Sequence, residues 1–333
     1  MAIEGHSIAL VIPAYQAQAA ISSVLAIIPA YVDWIIVVDD ASKDETAAVV
    51  KRHADQRIIL LSHERNCGVG GAMITGFKKA LDLKADFIAK IDADGQMDPS
   101  CLDRFAQVCL LHNCDYVKAN RFGHLDALPV MPKLRLYGSI ILSFLTKLTS
   151  GYWNVFDPQN GYIMITRKML RRLDLERIDQ GYFFENSMLI LLNIMRARIG
   201  EIYLPACYGT EVSSMKLSNI LRTFPGKLCA GFIYRVYQKY FFRSLSPFFL
   251  LLNLGLVCCL WGALWGGWAW YRSSVTGIPA TTGTVVLALL PLILGWSALL
   301  QAFVLDVQDA GPCLLFDYDD ETLKTSGEKN TGN

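Results

Sequence analysis

The sequence has almost no net charge: 31 Lys and Arg stand against 30 Asp and Glu in 333 residues. A general nucleic-acid binder is clearly basic, so that class is excluded. None of the nine cysteines forms a Cys-x-x-Cys pair, and no histidine stands at zinc-like spacing from one. A structural zinc site is therefore not expected. The odd count without disulfide-like spacing fits reduced thiols in a cytosolic compartment. The N-terminus lacks a basic stretch followed by an apolar segment and a cleavage site. Its first apolar run, Ser7–Ala14, is short and leads straight into a strand–turn pattern, so no signal peptide is expected.

Charge is also missing, in long runs, from the last third of the chain. Ser246–Tyr271 and Ser273–Leu305 contain no ionisable Asp, Glu, Lys or Arg. A bilayer core needs roughly 20 apolar residues per helix, and both runs suffice. Two transmembrane helices within 244–305 are expected. Trp261, Trp265, Trp268, Trp270 and Tyr271 gather toward one end of the first, as interfacial aromatics do. The preceding segment, 216–243, lacks acidic residues and interleaves Lys216, Arg222, Lys227, Arg235, Lys239 and Arg243 with aromatics. That pattern suits an interfacial segment on anionic lipid. The loop between the spans offers only Arg272. The positive-inside bias then places the N-terminal domain and both termini in the cytoplasm, at the cell (inner) membrane. Residues 306–333 read as a flexible cytoplasmic tail.

The first 215 residues read as one α/β domain. Short apolar runs at Ser7–Pro13, Trp34–Val38, Arg57–Leu61 and Phe87–Ile91 alternate with helical stretches at 17–29, 44–54 and 72–83, with a Gly-rich turn at 66–71. This spacing predicts βαβ units and a mostly parallel sheet covered on both faces. Further strands are expected at 115–118, after the turn at 157, and at 199–206, with helices at 134–148 and 182–196. The helix at 134–148 reads equally as a core helix or as one lying on a membrane surface.

Ligands of such sheets bind beyond the carboxyl ends of the strands, and Asp39, Asp40, Asp92 and Asp94 all fall there. In Asp92-Ala93-Asp94-Gly95-Gln96, two carboxylates one residue apart can hold Mg²⁺ or Mn²⁺ and thereby a nucleotide's diphosphate, and Gln96 can add an amide oxygen. Asp39 and Asp40 can accept hydrogen bonds from a base or ribose. Asn66-Cys67-Gly68-Val69-Gly70-Gly71 can bring backbone close to a ligand or serve as a plain turn. As a dinucleotide fingerprint it fails, because residue 73 is Met.

Together these motifs resemble the family-2 glycosyltransferases of GT-A fold, a Rossmann-like architecture. The resemblance rests on Val11-Ile12-Pro13-Ala14-Tyr15, on Val38-Asp39-Asp40-Ala41-Ser42 with Asp44 and Thr46, and on Asn66-x-Gly68-x-Gly70-x-Ala72. It continues through Asp92-Ala93-Asp94-Gly95-Gln96-x-Asp98-Pro99, Asn120-Arg121-Phe122 and Asp157-Pro158-Gln159-Asn160-Gly161-Tyr162. The order is similar to the polyprenyl-phosphate branch, with dolichyl-phosphate mannose synthase and bacterial undecaprenyl-phosphate enzymes. It implies a nucleoside pocket at Pro13, Tyr15 and Asp40, and a metal with the donor diphosphate at Asp92, Asp94 and Gln96. It also implies phosphate contact at Arg121, with Arg135 and Lys216 as further acceptor-phosphate candidates.

The expected activity is inverting transfer of a sugar from a UDP- or GDP-sugar to a polyprenyl phosphate, for cell-envelope glycan synthesis. The alternative is transfer to a hydroxyl of a lipid-linked or cell-surface glycan, with Glu185 as general base. An inactive membrane scaffold and a soluble dehydrogenase are further classes, disfavoured by the Asp92/Asp94 pair and by the spans. The expected partners are a nucleotide-sugar, a polyprenyl phosphate and the bilayer, without nucleic acid; homo-oligomerisation is left open.

Overall fold

The computed structural model describes residues 5–121, 133–204, 217–310 and 313–316. The chain divides into two compact units, Met1–Phe232 with Gly311–Asn333, and Ile233–Ala310.

In the first unit the apolar runs become strands β1 (Ile8–Ala14), β2 (Trp34–Asp39), β3 (Ile58–Ser62), β4 (Phe87–Lys90), β5 (Tyr116–Asn120), β6 (Ile163–Thr166), β7 (Ile199–Tyr203) and β8 (Leu314–Phe316). They form one sheet in the order β3-β2-β1-β4-β6-β5-β7-β8, and β6 alone runs antiparallel to its neighbours. The helices of this unit are α1 (Ile21–Ala26), α2 (Thr46–Arg52), α3 (Gly68–Asp82), α4 (Leu102–Leu111), α5 (Lys133–Ser150), α6 (Arg167–Leu170), α7 (Phe184–Ile194) and most of α8 (Leu217–Arg235).

Side chains alternate between the faces of a strand, and both faces here are covered. Ile8, Leu10 and Ile12 of β1 pack with Ile35 and Val37 of β2 against Ile21 and Val24 of α1 and Phe105 of α4. On the opposite face α3 lies on Val11, and its Phe77 meets Phe184 of α7 with ring centroids 6.3 Å apart. The fold class read from the sequence is the one observed. Three local readings change. The Gly-rich stretch expected as a turn is the first turn of α3. Leu102–Leu111 is a helix that the pattern did not single out. The stretch after the spans is not wholly a free tail, because Leu314–Phe316 adds an edge strand parallel to β7.

The second unit is built on two long helices, α9 (Pro247–Thr276) and α10 (Thr282–Gln308). Each has a punctuated start. Ser246 accepts the Phe248 N–H with Pro247 at the first position, and Thr281 accepts the Thr284 N–H. Gly277 ends α9 in the left-handed conformation. Both helices reach a mean hydropathy of 2.1, and only 17% and 11% of their most apolar windows are buried. Core helices of a soluble protein would be mostly buried, so the exposed apolar surface marks helices long and apolar enough to cross a membrane.

Ahead of α9, Val236–Phe242 forms a π-helical segment. It turns Tyr240 onto Asp306 (2.7 Å) and Lys239 onto Asp309 (2.7 Å), beside Arg235, whose Nη1 and Nη2 take both oxygens of Asp306 at 2.7 and 3.1 Å. In the first unit Lys227 pairs with Asp179. Three cations of the basic stretch therefore face carboxylates, while Arg222 and Arg243 are exposed.

Candidate functional site

The carboxyl ends of β1, β2 and β4 open into a cleft of about 500 Å³. Pro13 and Ala14 end β1 and form its floor. The next residues, Tyr15–Ala17 with Ala19 and Ala20, form one wall, tied down by Gln16 N–H to Ser42 Oγ (2.9 Å) and Ala17 N–H to Thr46 Oγ1 (2.9 Å). Tyr15 is half exposed on this wall. The other walls come from Asp40, Asn66, Gly68, Val69, Ala72, Asp92–Asp94, Gly181 and Tyr182.

The two aspartates at the tip of β2 are largely buried. Asp39 accepts the Ser42 N–H at 3.3 Å and is not among the cleft-lining residues. Asp40 lines the cleft, but its carboxylate is occupied by the chain itself. It accepts the N–H groups of Cys67 (2.8 Å) and Gly68 (2.7 Å) and meets His63 Nδ1 at 2.7 Å, whose Nε2 meets Thr75 Oγ1. This carboxylate caps α3 from a distance, which is why a glycine-rich run starts a helix. Asp40, His63 and Cys67 also lie close enough together to suggest a metal cluster. The hydrogen bonds already made by both Asp40 oxygens explain that closeness. Gly70 is required here, because a Cβ would stand 1.9 Å from the Asp179 carbonyl oxygen.

Asp92 and Asp94 project into the cleft from the end of β4. Asp94 Oδ1 accepts the Gln96 N–H at 3.0 Å, and Gln96 is not among the cleft-lining residues. Asp92 Oδ1 lies 2.8 Å from the ammonium of Lys90, the last residue of β4 and 1% exposed. The same ammonium donates to the Gly161 carbonyl (3.3 Å) and lies 3.7 Å from Glu185 in the first turn of α7. Burial opposes the charge on Lys90, but Asp92 and Glu185 outweigh it and hold the ammonium above its ordinary pKa. Burial pushes the Glu185 carboxyl up, with Lys90 pulling against it.

The register places Lys90 opposite Ile163, Ile163 opposite Lys118, and Lys118 opposite Glu201. These four side chains therefore form one row on one face of the sheet. Lys118 is fully buried, and its Nζ has no hydrogen-bond partner among the described residues; burial lowers its pKa while Asp157, Glu201 and Glu185 oppose that. Glu201 accepts the N–H groups of Phe156 (2.9 Å) and Asp157 (3.1 Å). Asp157 in turn grips Arg121 through Nε (2.7 Å) and Nη2 (3.0 Å).

The structure thus brings Pro13, Tyr15, Asp40, Asp92 and Asp94 to one cleft and sets Glu185 behind Asp92. Arg121 lies outside the cleft lining and is held by Asp157. Arg135 is placed by its backbone in α5, with its side chain outside the described residues; Lys216 lies wholly outside them. The sequence reading gave no role to Lys90, Lys118, Asp157, Glu201 or Tyr182. The usable signal was a lysine inside each of two otherwise apolar runs, Phe87–Ile91 and Tyr116–Ala119.

A sheet with this strand order, carrying an Asp-x-Asp pair into a cleft at the strand ends, defines a GT-A type domain. The chain belongs to glycosyl transferase family 2, whose family model matches residues 9–174. It is 32% identical over 230 residues to the UDP-N-acetylglucosamine–dolichyl-phosphate N-acetylglucosaminyltransferase of Methanococcus voltae, covering 65% of this chain and 91% of that protein. It is 30% identical to the undecaprenyl-phosphate mannosyltransferase of Micrococcus luteus, over 50% of this chain and 69% of the relative. Among solved structures, the glucosyl-3-phosphoglycerate synthase of Mycobacterium tuberculosis, in complex with Mn²⁺, UDP-glucose and phosphoglyceric acid, shares the fold. Its TM-score is 0.52 at 20% identity, over 70% of this chain and 80% of that one.

Proposed function

We propose that this glycosyltransferase moves a sugar from a UDP- or GDP-sugar to the phosphate of a polyprenyl phosphate at the cytoplasmic face of a membrane, for cell-envelope glycan synthesis. The observation that carries the reading is the similarity along 91% of the Methanococcus voltae enzyme, whose acceptor is a dolichyl phosphate. That enzyme's donor makes UDP-N-acetylglucosamine the first donor to try.

Asp92 and Asp94 fit a divalent cation by their chemistry: two carboxylates from one turn, both on the cleft wall, offer the hard oxygens that Mg²⁺ and Mn²⁺ prefer. Such an ion, when bound, neutralises charge on the departing nucleoside diphosphate. Tyr15 and Pro13 supply apolar surface for the base, and the Asp40 clasp fixes the loop at Asn66–Gly68 against it. Arg121, Arg135 and Lys216 are the proposed contacts of the acceptor phosphate. The grip of Asp157 keeps the Arg121 guanidinium in one orientation, suited to a phosphate oxygen.

A lipid phosphate is already anionic at neutral pH and needs no base to attack the anomeric carbon, so positioning supplies most of the catalysis. The surroundings of Glu185 agree with this, since its carboxylate faces an ammonium 3.7 Å away. The hydroxyl-acceptor alternative draws on the same residue, whose burial raises its pKa above the ordinary carboxyl value. Single-turnover rates of Glu185→Gln separate the two. With a lipid phosphate the rate falls by a small factor; with a hydroxyl acceptor it falls on the order of 10²–10⁴-fold at unchanged donor affinity.

Support for an even number of crossings comes from chain connectivity. The chain leaves the first unit before α9 and re-enters it after α10, where Leu314–Phe316 joins the same sheet. The cytoplasmic assignment rests on the excess of Lys and Arg before α9.

A further inference from the structure

We propose that Lys90 is a positioning residue of the donor site: its buried ammonium, lodged in the space left by the missing side chain at Gly161, holds Asp92 by one oxygen and takes Glu185 as its counter-ion. The inference rests on the donor-site reading above and assigns a duty to a residue that this reading leaves idle.

A lysine that is 1% exposed on an interior strand needs a reason. Its row neighbours on β1 and β6 are Val11 and Ile163, so packing alone would be served by another aliphatic residue. An ammonium has three protons to donate. Three acceptors converge on it: Asp92 Oδ1 at 2.8 Å, the Gly161 carbonyl at 3.3 Å and Glu185 Oε1 at 3.7 Å. They come from three separate places in the chain: the turn after β4, the loop before β6 and the first turn of α7. Desolvating an ammonium is costly unless its partners are in place, so the charge and the convergence explain each other.

The space for this ammonium is made by an absence. A Cβ at Gly161 would stand 2.4 Å from Lys90 Nζ, 3.2 Å from Asp92 Oδ2 and 3.6 Å from Glu185 Oε1. Two consequences follow for the site. Asp92, a cleft-lining residue, is held by Oδ1, so its carboxylate is kept in a set position at the cleft. Glu185 is engaged as a counter-ion, so its charge balances the lysine instead of serving a reacting hydroxyl.

Gly161→Ala tests this without changing any charge. The atom it displaces is the tip of a flexible side chain, so the fold can absorb the change while the ammonium cannot keep its place. The full-length protein in detergent is titrated with UDP and GDP in the presence of Mn²⁺, and its melting curve is recorded. Gly161→Ala should melt close to wild type, and Lys90→Met at a lower temperature but still cooperatively, because Glu185 loses its counter-ion. Each folded variant should bind the preferred nucleotide about tenfold or more weakly, the loss expected when a charge-assisted contact no longer orders its partner. Glu185→Gln should weaken binding severalfold alone, but change it less than about twofold in the Lys90→Met background, since coupled partners are not additive. Folded Gly161→Ala and Lys90→Met proteins that bind like wild type would overturn the proposal. So would melting collapse of both variants, which would make Lys90 purely structural. A wild-type protein that binds neither UDP nor GDP would overturn the donor-site reading itself, and the positioning role with it.

Discussion

Asp40 and Asp94 follow strands on either side of β1, yet the structure gives them opposite duties. Asp40 satisfies two backbone N–H groups and a histidine within the protein, whereas Asp94 faces the cleft. Asp40→Ala should therefore cost about 3 kcal/mol or more of stability, because it strands buried donors. Asp94→Asn should leave the denaturation midpoint unchanged and abolish transfer. Chelation by EDTA should reproduce that loss in the native protein, with Mn²⁺ or Mg²⁺ reversing it. Equal stability of both variants in urea would contradict this division of labour. Asp86 carries a pH signature of its own. Burial alone would raise its pKa, but hydrogen bonds from Ser7 and the charge of Arg167 outweigh it, so the folded value lies below the ordinary 3.8. A depressed carboxyl contributes stability above its unfolded pKa and loses it as pH falls through the folded value. Below about pH 4 the wild type should lose melting temperature more steeply than Asp86→Asn. At this scale the sequence showed where acids gather, since strand ends can be read from apolar runs. It could not show that Asp40 turns inward, because that depends on Cys67 and Gly68 returning from 27 and 28 residues away. The duty of Lys90 was hidden for the same reason, as its partners Gly161 and Glu185 are far off in the chain.

The elements read correctly were those whose signal is local. Alternating apolar runs gave the strands, and two uncharged stretches gave α9 and α10. The start of α3 was misread because its cap is tertiary: glycines disfavour a helix, and the Asp40 carboxylate supplies the missing acceptor. Edge strand β8 is three residues long, too short for any pattern, and is defined by its pairing with β7. The basic stretch before α9 was read by composition alone, which cannot show that Arg235 and Lys239 have acidic partners on the far side of both long helices. Arg235 is fully buried against Asp306, which is 3% exposed. Removing one partner leaves an uncompensated charge, so Arg235→Ala should cost about 3–5 kcal/mol. Arg235→Met combined with Asp306→Leu should recover most of it. Thermal melts of the detergent-solubilised protein check this, and a double variant no better than Arg235→Ala would contradict the pairing.

For the whole molecule, one mixed sheet holds a cleft at its strand ends, and the chain leaves that domain through two apolar helices and returns to it. In the proposed function, this arrangement brings a water-soluble donor to an acceptor drawn from a bilayer. In the proposed reaction the sugar ends on the phosphate of a polyprenyl phosphate. The most direct test is mass spectrometry of the lipid product after full-length protein is incubated with undecaprenyl phosphate, a divalent cation and a panel of UDP- and GDP-sugars. One donor should add a single sugar to the polyprenyl monophosphate and release its nucleoside diphosphate. A product carrying an added sugar-phosphate, a sugar joined to a lipid hydroxyl, or consumption of donor without any lipid product would contradict it.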